Sequence, residues 1–432
     1  MIRFQHIIKL KQMIITVKKI LFCFLLAALA GCIKQGNKLA EGRPEKAGMS
    51  SERLYRIKPV MQKYIDENKL PGMITMVARH GTIVHSETFG FMDNDKPMRP
   101  DAIFRIASMT KPVTSVAAMI LYEEGYFQLD DPVADYIPEF RNLKVFSSID
   151  KEGVHAVDPV RPMTIRDLLT HTSGLSGVGA ESPVDSMYSA ANLSGSTLKE
   201  MIQKLSGIPL LYHPGTTWNY SRSTDVLGYL IEVLSGKSLD LFMKERIFIP
   251  LGMKDTDFSV PKEKFDRIGA VYAPDSAGIE IIMKPDTNMV SVPVKFLSGN
   301  GGLYSTATDY MIFSQMLLIK GEYDGVRILA SSTVDLMTTN QISGITMPDD
   351  DFFGPLMSGM GFGFGFAVLN DNGKANIIGT KGSYWWSGSG NTYFYIDPHE
   401  DLSLLLMTQF VPNYYYPIFK QLRVLSYQAL ID

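Results

Sequence analysis

From residue 50 onward the apolar positions fall into helical spacing, with Leu54, Ile57, Val60, Met61, Tyr64 and Ile65 recurring every three to four residues. Ser50 or Ser51 stands where an N-cap is needed, and Leu70-Pro71-Gly72 ends the pattern. The period then drops to that of strands. Ile74–Ala78 and Ile83–Phe89 are β-rich runs joined at His80-Gly81, which predicts a hairpin. Between about 111 and 340 the pattern is mainly helical, with helices predicted over 111–124, 164–170, 197–205, 224–235, 239–247, 308–319 and 332–339. Strand character returns near the end, as one run Phe362–Leu369 and as Thr392–Ile396 and Leu402–Thr408 paired across Asp397-Pro398-His399-Glu400. A closing helix is predicted over 417–430. Strands at both ends around a helical middle predict an α+β layered fold, with one antiparallel sheet built from both termini, flanked by helices and carrying a helical insertion. The strand–helix alternation of a doubly wound sheet is missing, and so is any internal repeat.

The first residues follow a different logic. Arg3, Lys9, Lys11, Lys18 and Lys19 precede an apolar run, Ile20 to Ala30. That run is too short to span a bilayer, which takes roughly twenty apolar residues, and it suits the core of a secretory signal. It ends Leu29-Ala30-Gly31-Cys32, which is similar to the lipobox of bacterial lipoproteins. The resemblance implies cleavage after residue 31, acylation of Cys32, and a lipid anchor in the bacterial cell envelope on the periplasmic or cell-surface side. Residues 32–48 then read as a polar tether and 49–430 as the folded domain, its sheet part about 49–110 and 341–430 and its helical part about 111–340. A plain signal with an incidental cysteine is the other reading.

Composition narrows the function. The 432 residues carry 42 Lys and Arg against 45 Asp and Glu, a net charge of −3, with no dense basic run after the signal. A nucleic-acid partner is not expected, because phosphate neutralisation needs clustered positive charge. Loss of residues 1–31 would move the net charge to −8, since five cations and no acids leave with them. Of the two cysteines, Cys23 goes with the signal and Cys32 takes the lipid. No thiol is left for a nucleophile, a disulfide framework or a cysteine metal site.

The pattern S-x-x-K occurs at Ser108…Lys111, Ser148…Lys151, Ser196…Lys199 and Ser259…Lys262. Only Ser108 stands where an extended apolar run meets a long apolar helix. Ser148 and Ser259 read as polar loops, and Ser196 as an ordinary N-cap. At a helix start, residues three apart share a face, so Lys111 can reach the Ser108 hydroxyl. The positive helix N-terminus lowers a lysine pKa, and its free N–H groups can hold an oxyanion. A neutral lysine can take the serine proton or stabilise another base. A capping serine beside a solvated lysine is the plainer alternative. Tyr220 ends the turn-rich stretch Pro214–Asn219, and it is either a core ring or, beside Lys111, a phenolate general base. There is no G-x-S-x-G elbow and no H-E-x-x-H pair.

Ser108-Met109-Thr110-Lys111, Leu168-Leu169-Thr170-His171-Thr172-Ser173-Gly174-Leu175, Tyr220-Ser221 followed by Asp225–Glu232, and Gly301-Gly302-Leu303-Tyr304-Ser305-Thr306 together resemble the serine β-lactamase superfamily. The nearest branch is the class C β-lactamase-like group with its related carboxylesterases and D-amino peptidases. The resemblance implies a serine hydrolase with its cleft between a layered domain and a helical one, needing neither cofactor nor metal. It makes Ser108 the acylated nucleophile, Lys111 its proton partner and Tyr220 the base, with the backbone N–H groups of Ser108 and Ser389 as the oxyanion hole. His171 falls in a structural corner rather than a Ser-His-Asp arrangement.

Two departures bear on substrate. Where lactamases carry Tyr-x-Asn, position 222 is Arg, which either binds a substrate carboxylate or faces solvent. Where they carry Lys-Thr-Gly on the sheet edge, this chain has Trp386-Ser387-Gly388, as the branch's esterases do. An indole in place of a cation points to small, short-acyl neutral esters. Hydrolysis of β-lactams or D-amino peptides is the alternative reading, and an inactive binding lipoprotein the second. The oligomeric state is not legible.

Overall fold

Continuous apolar runs at both ends of the chain make strands that need cover on both faces. The computed structural model describes residues 38–177, 182–195, 197–276, 278–285, 294–345, 347 and 356–432. In it, β1 (Ala40–Glu41), β2 (Gly72–Arg79), β3 (Thr82–Asp93), β4 (Lys96–Pro97), β5 (Met360–Phe362), β6 (Ala367–Leu369), β7 (Tyr384–Gly388), β8 (Thr392–Asp397) and β9 (Leu402–Met407) form one sheet. The order is β1-β3-β2-β9-β8-β7-β6-β5, with β4 added on β3. Every pairing is antiparallel except that of β1 with β3. The two termini meet in the centre, where Ile74 lies opposite Met407 and Arg79 opposite Leu402.

All residues of β2, β7, β8 and β9 are buried. One face is covered by the terminal helices α1 (Ile57–Asp66) and α5 (Ile418–Tyr427), and the other by α4 (Ala307–Leu318). Between α1 and α4 in the sequence come α2 (Thr110–Glu123), buried from Thr110 to Leu121, and α3 (Ser223–Ser235) packed along it. The sequence places α4 in the helical insertion; in space it belongs to the sheet layer. The predicted first helix is broken at Tyr55-Arg56 into Ser51–Leu54, capped by Ser50, and α1. No helix among the described residues is long and apolar enough to cross a membrane.

Three expectations need correction. The run 362–369 is two strands, not one, because Gly363 and Gly365 (φ 91°) turn the chain into a hairpin in which the Gly363 N–H donates to the Phe366 carbonyl at 2.8 Å. Among the described residues the helical middle contains three hairpins, Val145–Asp150 with Gly153–Val157, Val271–Asp275 with Gly278–Met283, and the short Glu322–Tyr323 with Val326–Arg327. Ser148 therefore lies on a strand and not in a loop. The end of the tether is also docked: β1 pairs with the sheet edge and Ala47 is buried. The signal, Cys32 and Ser196 lie outside the described residues.

The inner end of β7 abuts the turn leading into α2. A Cβ on Gly388 would lie 2.2 Å from the Ile106 carbonyl oxygen and 2.3 Å from Thr392 Oγ1. Gly388→Ala is expected to push that turn and destabilise the fold by about 1–3 kcal/mol. A thermal unfolding curve that coincides with the wild type would contradict this close approach.

Candidate active site

Ser108 sits in a 3₁₀ turn, Ala107–Met109, between the short strand Ile103–Arg105 and α2. Ala107 has φ 45°, a left-handed conformation that disfavours any side chain and that persists only where neighbours fix it. The fixing bonds come from far along the chain. Ile106 donates its N–H to Leu303 O at 3.1 Å, Leu303 N–H donates to Thr110 Oγ1 at 3.1 Å, and the Tyr310 hydroxyl donates to Met109 O at 2.8 Å. Thr392 Oγ1 donates to Ile106 O at 3.2 Å. The result is a half-exposed serine on a rigid turn at a helix start.

Lys111 follows one turn later and is 1% exposed. Its Nζ is 3.0 Å from Ser108 Oγ and 2.8 Å from the Asn300 carbonyl, and it lies over the Tyr220 ring at 4.3 Å from the centroid. Tyr220 hydrogen-bonds Ser108 through its hydroxyl, which also accepts the Trp386 indole N–H at 3.4 Å. The serine, lysine and tyrosine, 112 positions apart at the extremes, thus converge.

Burial moves the two titrating groups in opposite directions. It holds the Lys111 amine well below the usual lysine range, with the Arg222 charge adding to the effect and Asp225 opposing it. It pushes the Tyr220 phenol up, with the hydrogen bonds to Ser108 and Trp386 only partly offsetting it. Burial thus works against the expected phenolate at Tyr220 and favours the uncharged form of Lys111. In the structure Lys111 Nζ donates both to the Asn300 carbonyl and to Ser108 Oγ; an uncharged amine, with one lone pair, can instead accept from that hydroxyl.

Asp225 organises this environment, although its motif was read without a role for it. It is fully buried and accepts from Arg222 Nη1 at 3.1 Å, Ser298 Oγ at 2.7 Å and the Asn300 N–H at 3.0 Å. It thereby fixes the turn whose carbonyl holds Lys111. Thr114 Oγ1 donates to Gly299 O in the same turn at 2.7 Å. The sequence signal for Asn300 was its setting between Gly299 and Gly301-Gly302. Arg222 donates from Nη1 to Asp225 at 3.1 Å, and its partly exposed side chain lines a pocket with Asp185, Tyr188 and Asn192.

Strand β7 splits its predicted binding residues. Trp386 packs against Tyr220 and Phe362, with ring centroids 5.4 Å away in each case. Ser387 points to the opposite face of the sheet, bonded to Asn413 and Tyr414, so its predicted contact with substrate is corrected. Gly388 backs onto the Ser108 turn, and Ser389 is exposed in the turn beyond it. His171 is buried at φ 56°, with its ring 5.0 Å from that of Tyr220. Its Nδ1 accepts the Ser221 N–H at 3.2 Å, and burial beside Lys111 keeps it neutral. That is a corner support for Tyr220.

A sequence profile of the Beta-lactamase family matches residues 57–418. The chain belongs to the beta-lactamase family. It is 33% identical over 362 residues to Protein Rv1367c of Mycobacterium tuberculosis (strain ATCC 25618 / H37Rv), covering 82% of this chain and 89% of that one. It is 30% identical over 377 residues to Esterase EstB of Burkholderia gladioli, again covering 82% and 89%. Among solved structures it is similar to EstCE1, a hydrolase with promiscuous acyltransferase activity, at 26% identity and a TM-score of 0.71, covering 87% of this chain and 99% of that one. With these relatives the chain is a serine hydrolase of the beta-lactamase family.

A buried amine also leaves a thermodynamic mark. With its folded-state pKa lowered, Lys111 binds a proton more readily in the unfolded chain. Its contribution to stability therefore rises with pH between the folded-state pKa and the unfolded value of about 10.4, and falls as the solution is acidified. The stability of the wild type relative to Lys111→Met, followed by urea unfolding across pH, is expected to decline towards low pH. A difference independent of pH would contradict a lowered pKa.

Proposed function

We propose that the protein is a carboxylesterase acting on small, short-acyl esters through an acyl-enzyme on Ser108. The observation that carries this reading is the placement of Trp386: its indole stands beside Tyr220 where the lactamase pattern has a lysine. That wall of the site is aromatic and uncharged, which suits a neutral ester better than a carboxylate-bearing lactam or peptide. Arg222, the nearby alternative cation, is paired with Asp225. Kinship with Esterase EstB supports the same choice.

In the proposed mechanism Ser108 Oγ attacks the ester carbonyl while its proton passes to the free amine of Lys111. The Asn300 carbonyl and the buried Asp225 behind it hold that amine in place. The N–H groups of Ser108 and Ser389 take the negative charge on the carbonyl oxygen. The C–O bond to the alcohol then breaks, and the proton on Lys111 moves through the Tyr220 hydroxyl to the leaving alkoxide. Water then attacks the acyl carbonyl and gives its proton to Lys111; the bond from that carbon to Ser108 Oγ breaks, the proton on Lys111 returns to Ser108, and the carboxylic acid leaves. Tyr220 relays protons as a neutral phenol. In the same proposal Cys32 carries a lipid, which holds the enzyme in the cell envelope ahead of the docked residues 40–48.

The test uses the chain from residue 33. A fluorophosphonate is expected to label the wild type and not Ser108→Ala, and p-nitrophenyl butyrate is expected to turn over much faster than a chromogenic cephalosporin. Lys111→Met is expected to lower kcat at least 100-fold, the scale of general-base catalysis. Cephalosporin turnover exceeding ester turnover would overturn the esterase reading. Absence of both labelling and turnover would favour a binding protein.

A further inference from the structure

The described fold begins at Lys38, six residues after Cys32, and β1 follows at once on the sheet edge. With the lipid proposed at Cys32, those six residues hold Lys38 within about 20 Å of the bilayer, because an extended chain spans at most about 3.6 Å per residue. A domain of this length is roughly 55 Å across. The side of the molecule around Lys38 can therefore touch the membrane, and the opposite side cannot.

Beside Lys38 the surface has an apolar tip. Ile249 is 66% exposed, although Phe248 and Leu251 on either side of Ile249-Pro250 belong to the core. It lines one cleft with Lys38 and a second with Lys244 and Lys264, and Lys254 lines both. Among the described residues Lys38 and Lys254 are exposed and in no ion pair. The carboxylates beside them are largely taken: Asp101 and Asp255 pair with Arg267, and Asp309 is buried, which leaves Asp324 exposed. Residues 33–37 add Lys34 and no acid.

An isolated exposed isoleucine on a freely diffusing protein needs no explanation. One held within a tether's length of a bilayer, between free ammonium groups, has the composition of an interfacial contact. The apolar side chain gains by entering the headgroup–acyl boundary, while the lysines stay among the headgroups and are drawn to anionic lipids. We propose that the face made by Ile249, Lys38 and Lys254 docks on the surface of an anionic lipid bilayer, beside the point of tethering. The inference rests on the lipid anchor proposed at Cys32 and is independent of which ester is cleaved.

The chain from residue 32 carries Cys32 as its only thiol. Coupled through it to a maleimide lipid in phosphatidylcholine–phosphatidylglycerol vesicles, it keeps the tether length of the native anchor. Ile249→Trp then reports contact through quenching by brominated acyl chains, against a background in which Trp218, Trp385 and Trp386 are buried. The control is Ile378→Trp. Ile378 is also exposed, but in the connection between β6 and β7, and β6 lies six strand positions from β1, roughly 29 Å across the sheet. The expected result is about twofold or greater quenching of the emission added at 249, little at 378, and weaker quenching at 249 when Lys254→Glu is added. No quenching at 249, or equal quenching at both positions, overturns the docking face while leaving the anchor standing. Protein isolated from cells with Cys32 unacylated overturns the anchor, and this inference with it.

Discussion

Placing an amine where water cannot reach it, against a hydroxyl, is the constraint on which the rest of this molecule turns. A solvated lysine is an ammonium at neutral pH and of no use as a base. Lys111 is enclosed by α2, α3, the Ser298–Asn300 turn and the Tyr220 ring, and among the described residues its direct oxygen partners are Ser108 Oγ and the Asn300 carbonyl. Removing the carboxylate one shell away, from the amine itself to Asp225, is what leaves the nitrogen free to lose its proton. Asp225 is close enough to order the turn and far enough not to neutralise the amine. Arg222, bonded to the same carboxylate, weakens its pull further.

The architecture serves that enclosure. The sheet joins strands from both ends of the chain, so its centre is formed by residues more than 300 positions apart, and β7 is fixed against the turn carrying Ser108. Helix α4 reaches back to bind the same turn through Tyr310. The left-handed conformation at Ala107 is thus held by contacts from three separate parts of the sequence. Such distributed support is how a strained turn persists without local help.

Much of this was legible in order of residues. Helix periodicity located α2, α3 and α4 to within a residue or two, and spacing alone put Lys111 within reach of Ser108. Three kinds of information were not. Burial decides the direction in which Lys111 and Tyr220 titrate, and burial belongs to the assembled fold: it adds to the lowering expected for a lysine at a helix start and opposes the phenolate expected of a tyrosine beside it. Alternation along β7 sends Trp386 and Ser387 to opposite faces, which a motif read as a unit hides. A backbone acceptor such as the Asn300 carbonyl is marked by no side chain of its own, only by the glycines on either side of it. The short hairpin at 145–157 was missed because its apolar residues, Val145, Phe146, Ile149, Val154 and Val157, do not alternate regularly with polar ones, and most of them stand exposed on the surface.

The central claim is the protonation state of one amine, and lysine labelled with ¹³C at Cε reports it directly. The NMR titration of the full folded domain, with the Lys111 signal assigned by its loss in Lys111→Arg, should show that resonance titrating well below the other lysines. A Lys111 signal that remains in its ammonium form up to the ordinary lysine range would contradict the account.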